Sequence, residues 1–451
     1  MRIASALARR FLRPGLKFLA ESGAVGTLAR ACARAVEVVA GSPSAGAAPT
    51  LLALSPEQFR GDLEVLARAG AFRVLRLPAA WQVRIVRAFV VDHLPGADFH
   101  MPPADGTVAR GRTACREFLG RFLPELFARL GVDAVIGANN RFQVDADWGI
   151  TARTLGIPYV VLFREGLLIS PVVYDKVVAR QRAMGRFQGD HIVVHNAISK
   201  RMYVESGYAT APQVTVAGVL RMDNFIERIR RGEGAGRHRR VAFFPFGSRL
   251  AILGLDSGGN LFTSAHQAFV RTARDNPDIH FVIKPKARHL AARWRDDFDR
   301  AMAEGDLHPG AIANLEITSK PDAQDLILRS DVICGFDSTT ILEAALAGRP
   351  VVVPYFDTYR CSPYGQAFPF AAFTDLFDCA VDGDDFGRQI RLRLTKATID
   401  PATMERRREV FSRYVSPAEG GATQRYIDCL DHVLTASGRV IVRQATAAPA
   451  A

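Results

Sequence analysis

Residues 330–356 read SDVICGFDSTTILEAALAGRPVVVPYF, two apolar runs separated by a polar turn and a helical segment. An apolar run ends at Gly335. A polar turn follows, Asp337-Ser338-Thr339-Thr340, and opens a helix that carries Glu343. Gly348, Arg349 and Pro350 stop the helix, and a second apolar run begins. Strand, turn, helix and strand in that order make a βαβ unit, and ligands of such units sit at the carboxyl ends of the strands. Free backbone N–H groups and hydroxyls at a helix start suit a phosphate. Glu343 is placed to accept hydrogen bonds from ribose hydroxyls. An ordinary N-cap with a carboxylate near the positive helix end gives the same pattern.

The same alternation runs outward in both directions. Downstream of a Gly/Ser/Ala/Pro-rich linker at 41–50, strands are expected at Leu51–Leu54, Phe72–Leu77, Asp133–Asn139, Tyr159–Glu165, His191–Asn196 and Val214–Val219. Helical spacing fills Arg110–Leu130, Asp145–Leu155 and Ser199–Ser206. Residues 228–240, with three glycines, six arginines and a histidine, cannot build a core and read as an interdomain linker or an exposed loop. A second series follows: Val241–Phe246, His280–Lys284, Leu315–Thr318, Asp331–Gly335 and Pro350–Phe356, with helices over Ser338–Leu346, Met404–Tyr414 and Thr423–Thr435. Alternating strands and helices imply mostly parallel sheets covered on both faces. The expected organisation is a basic helical extension at 1–50, a Rossmann-like domain at 51–228, a second at 238–437 and a loose tail at 438–451.

Composition agrees with a large folded chain. Its 451 residues exceed one ordinary core, and 48% hydrophobic with 23% charged residues is a globular balance. The net charge of +12 favours anionic partners such as nucleotide phosphates or acidic lipids. No RNA-recognition, zinc-finger or helix-turn-helix signature accompanies it, so nucleic acid is not an expected partner. Six scattered cysteines form no Cys-x-x-Cys pair, which fits a reducing cytoplasm. No run approaches the roughly 20 apolar residues of a spanning helix. The first 50 residues carry seven basic and two acidic side chains. They suit either an amphipathic helix on an anionic membrane face or a packing helix.

Further motifs end on strands. Phe281-Val282-Ile283-Lys284-Pro285-Lys286 finishes in two lysines, and cations there stabilise charge on a leaving phosphate. Gly247, Ser248 and Arg249 follow the first strand of the second series; small residues let backbone approach a phosphate and Arg249 can pair with it. Gly218-Val219-Leu220-Arg221-Met222-Asp223 reads as a turn with Arg221 and Asp223 spaced as an Arg–Asp pair. His191 and His195 flank an apolar strand without acidic or Cys partners, and they read as core histidines and not as metal ligands. No metal and no cofactor is expected.

These residues together resemble the GT-B glycosyltransferases, over about residues 51 to 437. The resemblance is to enzymes of bacterial surface polysaccharides, including Kdo and sialic acid transferases that use CMP-sugars and CDP-glycerol transferases. It implies an α/β chain of two Rossmann-like domains facing a cleft. It implies a nucleotide-sugar donor held by Gly247, Ser248, Arg249, Lys284, Lys286, Asp337, Ser338, Thr339, Thr340, Glu343 and Arg221. Lys286 and Ala287 stand where such relatives carry His and Pro. Arg164-Glu165-Gly166 resembles the acidic-Gly motif of bacterial sialyltransferases, which makes Glu165 the expected general base of an inverting transfer, with Asp145 and Asp147 as rivals. The implied acceptor is a cell-surface glycan or glycolipid, with CMP-Kdo as one implied donor and a peripheral contact at the inner membrane face. A polyol-phosphate transferase, a sugar-nucleotide 2-epimerase and a non-catalytic scaffold of polysaccharide assembly are the rival readings.

Overall fold

A computed structural model describes residues 24–439, apart from 91–93, 95, 165–169, 248–258, 287, 337, 363–364 and 366–367. Glu165, Ser248, Arg249 and Asp337 therefore lie outside the described residues, as do residues 1–23 of the basic extension and 440–451 of the tail.

The chain divides into two compact units. The first takes in the described residues of Met1–Gly166, Val177–Asp223 and Gly421–Ala451; the second those of Leu167–Lys176 and Asn224–Gly420.

The first unit is built on seven strands: β1 (Glu37–Val38), β2 (Thr50–Ala53), β3 (Arg73–Arg76), β4 (Ala134–Gly137), β5 (Tyr159–Leu162), β6 (His191–Val194) and β7 (Val214–Val216). Their order is β1-β3-β2-β4-β5-β6-β7. All pairs are parallel except β1 with β3. The chain leaves β2 towards β3, then returns to β4 on the other side, so the direction of winding switches between β2 and β4. Strands such as Tyr159-Val160-Val161-Leu162 are buried along their whole length. Apolar side chains at every position, and not at alternate ones, are what a sheet covered on both faces demands.

The last helix, Ala422–Ala436, belongs to this first unit. Tyr426, Leu430 and Leu434 are buried in one core with Leu51, Ile136, Val160 and Val193. The sequence reading ran the second domain through to 437; the apolar stripe of this helix instead packs against strands formed hundreds of residues earlier. The helix Val25–Ala35 also packs here, against Thr107–Leu130, burying Leu28, Ala29 and Cys32. That portion of the N-terminal extension is thus a packing helix.

The second unit carries β8 (Arg240–Phe244), β9 (His280–Ile283), β10 (Leu315–Ile317), β11 (Val332–Gly335), β12 (Val351–Val353) and β13 (Asp378–Cys379). Their order is β10-β9-β8-β11-β12-β13, and every pairing is parallel. Winding runs outward from β8 to β10 and restarts at β11, which is the doubly wound dinucleotide-fold order with its switch between β8 and β11. The arginine-rich stretch read as a linker is tied to this unit. Arg228 pairs with Asp325 at 2.7 Å, and Arg349 donates to the carbonyl of Gly234 at 2.5 Å. Gly234 has φ +78°, and a Cβ there would strike the Leu328 carbonyl, so glycine is required at this turn. Among the described residues no helix is long and apolar enough to cross a membrane.

Candidate functional site

The switch point of the second sheet has an apolar floor. Phe246 follows β8 and Phe336 follows β11, and their rings lie 5.0 Å apart between centroids. Phe246 also packs on Phe262 and His266. Gly335 ends β11 where an added Cβ would meet Ile341 at 3.3 Å and the Phe244 carbonyl at 3.6 Å, so the two strand ends approach closely.

Polar groups follow the ends of the same strands and of the adjacent strand. Gly247 is exposed, and Ser338, Thr339 and Thr340 are half-buried. The Thr340 hydroxyl donates to Ser338 Oγ at 2.8 Å, and the Thr340 amide donates to the same oxygen at 3.3 Å. Glu343 lies beneath the turn at 3% exposure, accepting from Thr339 at 3.3 Å and Gln324 at 3.5 Å. It is a buried brace of the turn in this structure and has no open face for ribose hydroxyls. Just past the end of β9, which pairs with β8, Lys284 is half-buried and Lys286 exposed. Burial lowers the Lys284 ammonium below its ordinary value, and Asp322 pulls the other way. The expected residues Gly247, Lys284, Lys286, Ser338, Thr339 and Thr340 thus share one edge of one sheet.

The carboxyl edge of the first sheet is also polar. Ser55, just after β2, has φ +45°, a left-handed conformation that a side chain resists. A closed network holds it there. Its amide donates to Gln82 at 2.8 Å, Gln82 donates to Asp145 at 2.6 Å, and the Ser55 hydroxyl donates to the same Asp145 oxygen at 2.7 Å. Asp145 is fully buried, and burial pushes its carboxyl up to about 7. Asp147 is committed elsewhere: Arg112 and Arg116 each pair with it at 2.8 Å. That buried ion pair removes it as a rival base.

A second acid closes the same loop. Asp62 lies 2.8 Å from Arg164 and 3.6 Å from Arg221. Arg221 therefore pairs with Asp62 and not with Asp223 of its own turn. Asp223 instead caps the last helix, accepting from the amides of Ala422 at 3.0 Å and Thr423 at 2.7 Å. His195 is buried beside the two arginines, and burial, Arg221 and Arg164 push it down to about 3. His191 bonds to Thr215 at 2.8 Å. Nothing in the local sequence marks Ser55, Gln82 or Asp62, since each acquires its meaning from partners far along the chain.

Comparison with protein-family models and with curated proteins returns no match. Among solved structures, a candidate UDP-N-acetylglucosamine 2-epimerase from Listeria monocytogenes is 15% identical, with TM-score 0.50, over 86% of this chain and 97% of its own. The UDP-GlcNAc 2-epimerase from Neisseria meningitidis, bound to UDP-GlcNAc, is 14% identical with TM-score 0.47, over 85% and 99%. A UDP-forming trehalose-phosphate synthase from Burkholderia xenovorans is 13% identical with TM-score 0.47, over 87% and 99%. Identities this low speak to fold alone. With two sheets of Rossmann-like winding in one chain, the protein has the GT-B type of fold.

Proposed function

We propose that this protein is a nucleotide-sugar-dependent enzyme, and within that class a glycosyltransferase. The observation that carries the reading is the switch point between β8 and β11: Phe246 and Gly247 follow β8, Phe336 and the Ser338–Thr340 turn follow β11, and Lys284 follows the adjacent β9, all at the carboxyl edge of one parallel sheet. Switch points of this winding are where nucleotides bind. A half-buried ammonium at the same sheet edge as a small, hydroxyl-bearing turn suits a diphosphate, because partial burial strengthens its field at the phosphate. Lys286, Ser248, Arg249 and Asp337 complete the proposed donor set. Glu165 is the proposed base that takes the proton of the acceptor hydroxyl. The acceptor is a glycan or glycolipid at the cytoplasmic membrane face.

A 2-epimerase is the second reading, favoured by the likeness to the Listeria structure at TM-score 0.50. One experiment separates the two. Purified protein is incubated with UDP-, CMP- and CDP-linked donors, with and without membrane glycolipid extract, and the sugar is followed by NMR. Transfer needs the extract and releases nucleotide; epimerisation of a UDP-sugar proceeds without acceptor. A CMP-sugar as sole donor supports Kdo or sialic acid transfer, and CDP-glycerol a polyol-phosphate transfer. For the transferase reading, Glu165→Gln is expected to lower turnover by about 10²–10⁴ while leaving nucleotide binding intact. No turnover of any donor under these conditions contradicts the reading and favours a scaffold.

A further inference from the structure

A cavity of about 530 Å³ lies beside the edge strand β13, within the second unit. That volume is in the range of small-molecule sites, roughly 300–1,000 Å³. Its walls come from several elements. Tyr355 and Arg360 follow β12, Thr374, Asp375 and Phe377 lead into β13, and Val381 follows it. The aromatic walls are fixed. The Tyr355 hydroxyl donates to the Gly365 carbonyl at 3.0 Å, and its ring stacks on Phe368 at 4.7 Å between centroids. Phe368 stacks in turn on Phe336 at 4.7 Å, and Phe377 packs edge-on against Phe370 at 5.7 Å.

The polar walls carry charge but no excess of it. Arg360 pairs with Asp357 at 2.7 Å, and Asp375 with Arg406 at 2.7 Å. Hydrogen-bonding capacity is left over. Among the described residues Arg360 and Asp375 make no side-chain bond beyond these pairs, and the Thr374 hydroxyl makes none. Arginine N–H donors, a carboxylate oxygen and a hydroxyl therefore stand next to aromatic walls. A pyranose ring has the matching surface: C–H faces that pack on aromatic rings, and hydroxyls at its edge that donate and accept. A purely apolar ligand would strip water from these polar groups without return. An anion such as phosphate would find Arg360 already neutralised and Asp375 repelling it.

We propose that this cavity is a subsite for one neutral pyranose ring, free or within a glycan. Arg360 donates to ring hydroxyls, Asp375 accepts from them, and Tyr355 and Phe377 pack against the sugar's C–H surface. The inference stands on these walls and does not rest on the nucleotide edge between β8 and β11.

The test uses the full chain. Methyl glucoside, methyl galactoside and methyl N-acetylglucosaminide are titrated by ligand-detected NMR, with sorbitol, an acyclic polyol, and inorganic phosphate as competitors. Saturable binding of at least one glycoside is expected, at a millimolar dissociation constant, because a single small ring makes few contacts. Neither sorbitol nor phosphate is expected to displace it. Val381 is 40% exposed, so Val381→Trp fills the cavity from its open side and is expected to abolish binding at an unchanged melting temperature. Thr374→Val and Arg360→Gln each remove donors or acceptors while keeping most of the shape, and each is expected to weaken binding about three- to tenfold. Lys284→Ala is expected to leave glycoside binding unchanged, and Val381→Trp to leave nucleotide binding unchanged, so this subsite and the nucleotide reading fail separately. A glycoside lost with Lys284→Ala sits at the nucleotide edge and overturns the inference. So does normal binding in the Val381→Trp chain, displacement by sorbitol or phosphate, or no glycoside binding up to about 0.1 M.

Discussion

Asp145 shows how one residue couples the first sheet to pH. Burial raises its carboxyl from the ordinary 3.8 to about 7, against hydrogen bonds from Ser55 and Gln82 and with Glu57 pushing the same way; burial also raises the Tyr159 phenol, and the Asp145 charge adds to that rise. An acid whose pKa rises on folding binds its proton more tightly when folded. Its contribution is full below about pH 4, declines as pH rises to about 7, and is flat above. Asp145→Asn removes that slope. The stability of the variant relative to the native protein is therefore expected to rise between pH 4 and 7 by a few kcal/mol, read from melting temperatures at stepped pH. Parallel curves contradict the assignment. Arg112 gives a second residue-scale test. Arg112→Met strips Asp147 of its buried partner and is expected to cost about 3–5 kcal/mol, while adding Asp147→Leu returns part of the loss. A double variant less stable than the single one contradicts it.

At the scale of elements, Asp223 joins two distant segments. It accepts from the first amides of the helix Ala422–Ala436 across 199 and 200 residues of sequence. Asp223→Ala removes that cap and is expected to cost about 1–2 kcal/mol, with faster hydrogen exchange in 422–436 than elsewhere in the first unit. Uniform exchange contradicts the cap. This helix also marks the limit of what the sequence discloses. Its amphipathic spacing is plain, but its partner strands are not, because an apolar stripe carries no address. The strands beginning with Thr50, Tyr159, Arg240 and Val332 were legible because buried parallel strands are nearly continuous apolar runs. β1 and β13, two residues each, carry too little pattern to notice. In the candidate site, Lys284 and the Ser338 turn were legible because strand-end position follows from alternation. The Ser55–Gln82–Asp145 network was not, since it joins residues 27 to 90 positions apart.

Across the whole molecule, two differently wound sheets place polar groups at their carboxyl edges. In the first, the switch falls between β2 and β4 and gathers buried acids and arginines. In the second it falls between β8 and β11 and gathers hydroxyls, glycine and lysine over an aromatic floor. The second edge is the proposed nucleotide site. The most direct measurement is calorimetric titration with CMP, CDP, UDP, GDP and dTDP, on the native chain and on Lys284→Ala. Binding of one nucleotide is expected, weakened roughly 10- to 100-fold by the variant, as loss of a charge-assisted hydrogen bond implies. No binding of any nucleotide at millimolar concentration, or equal affinity in the Lys284→Ala chain, would contradict it.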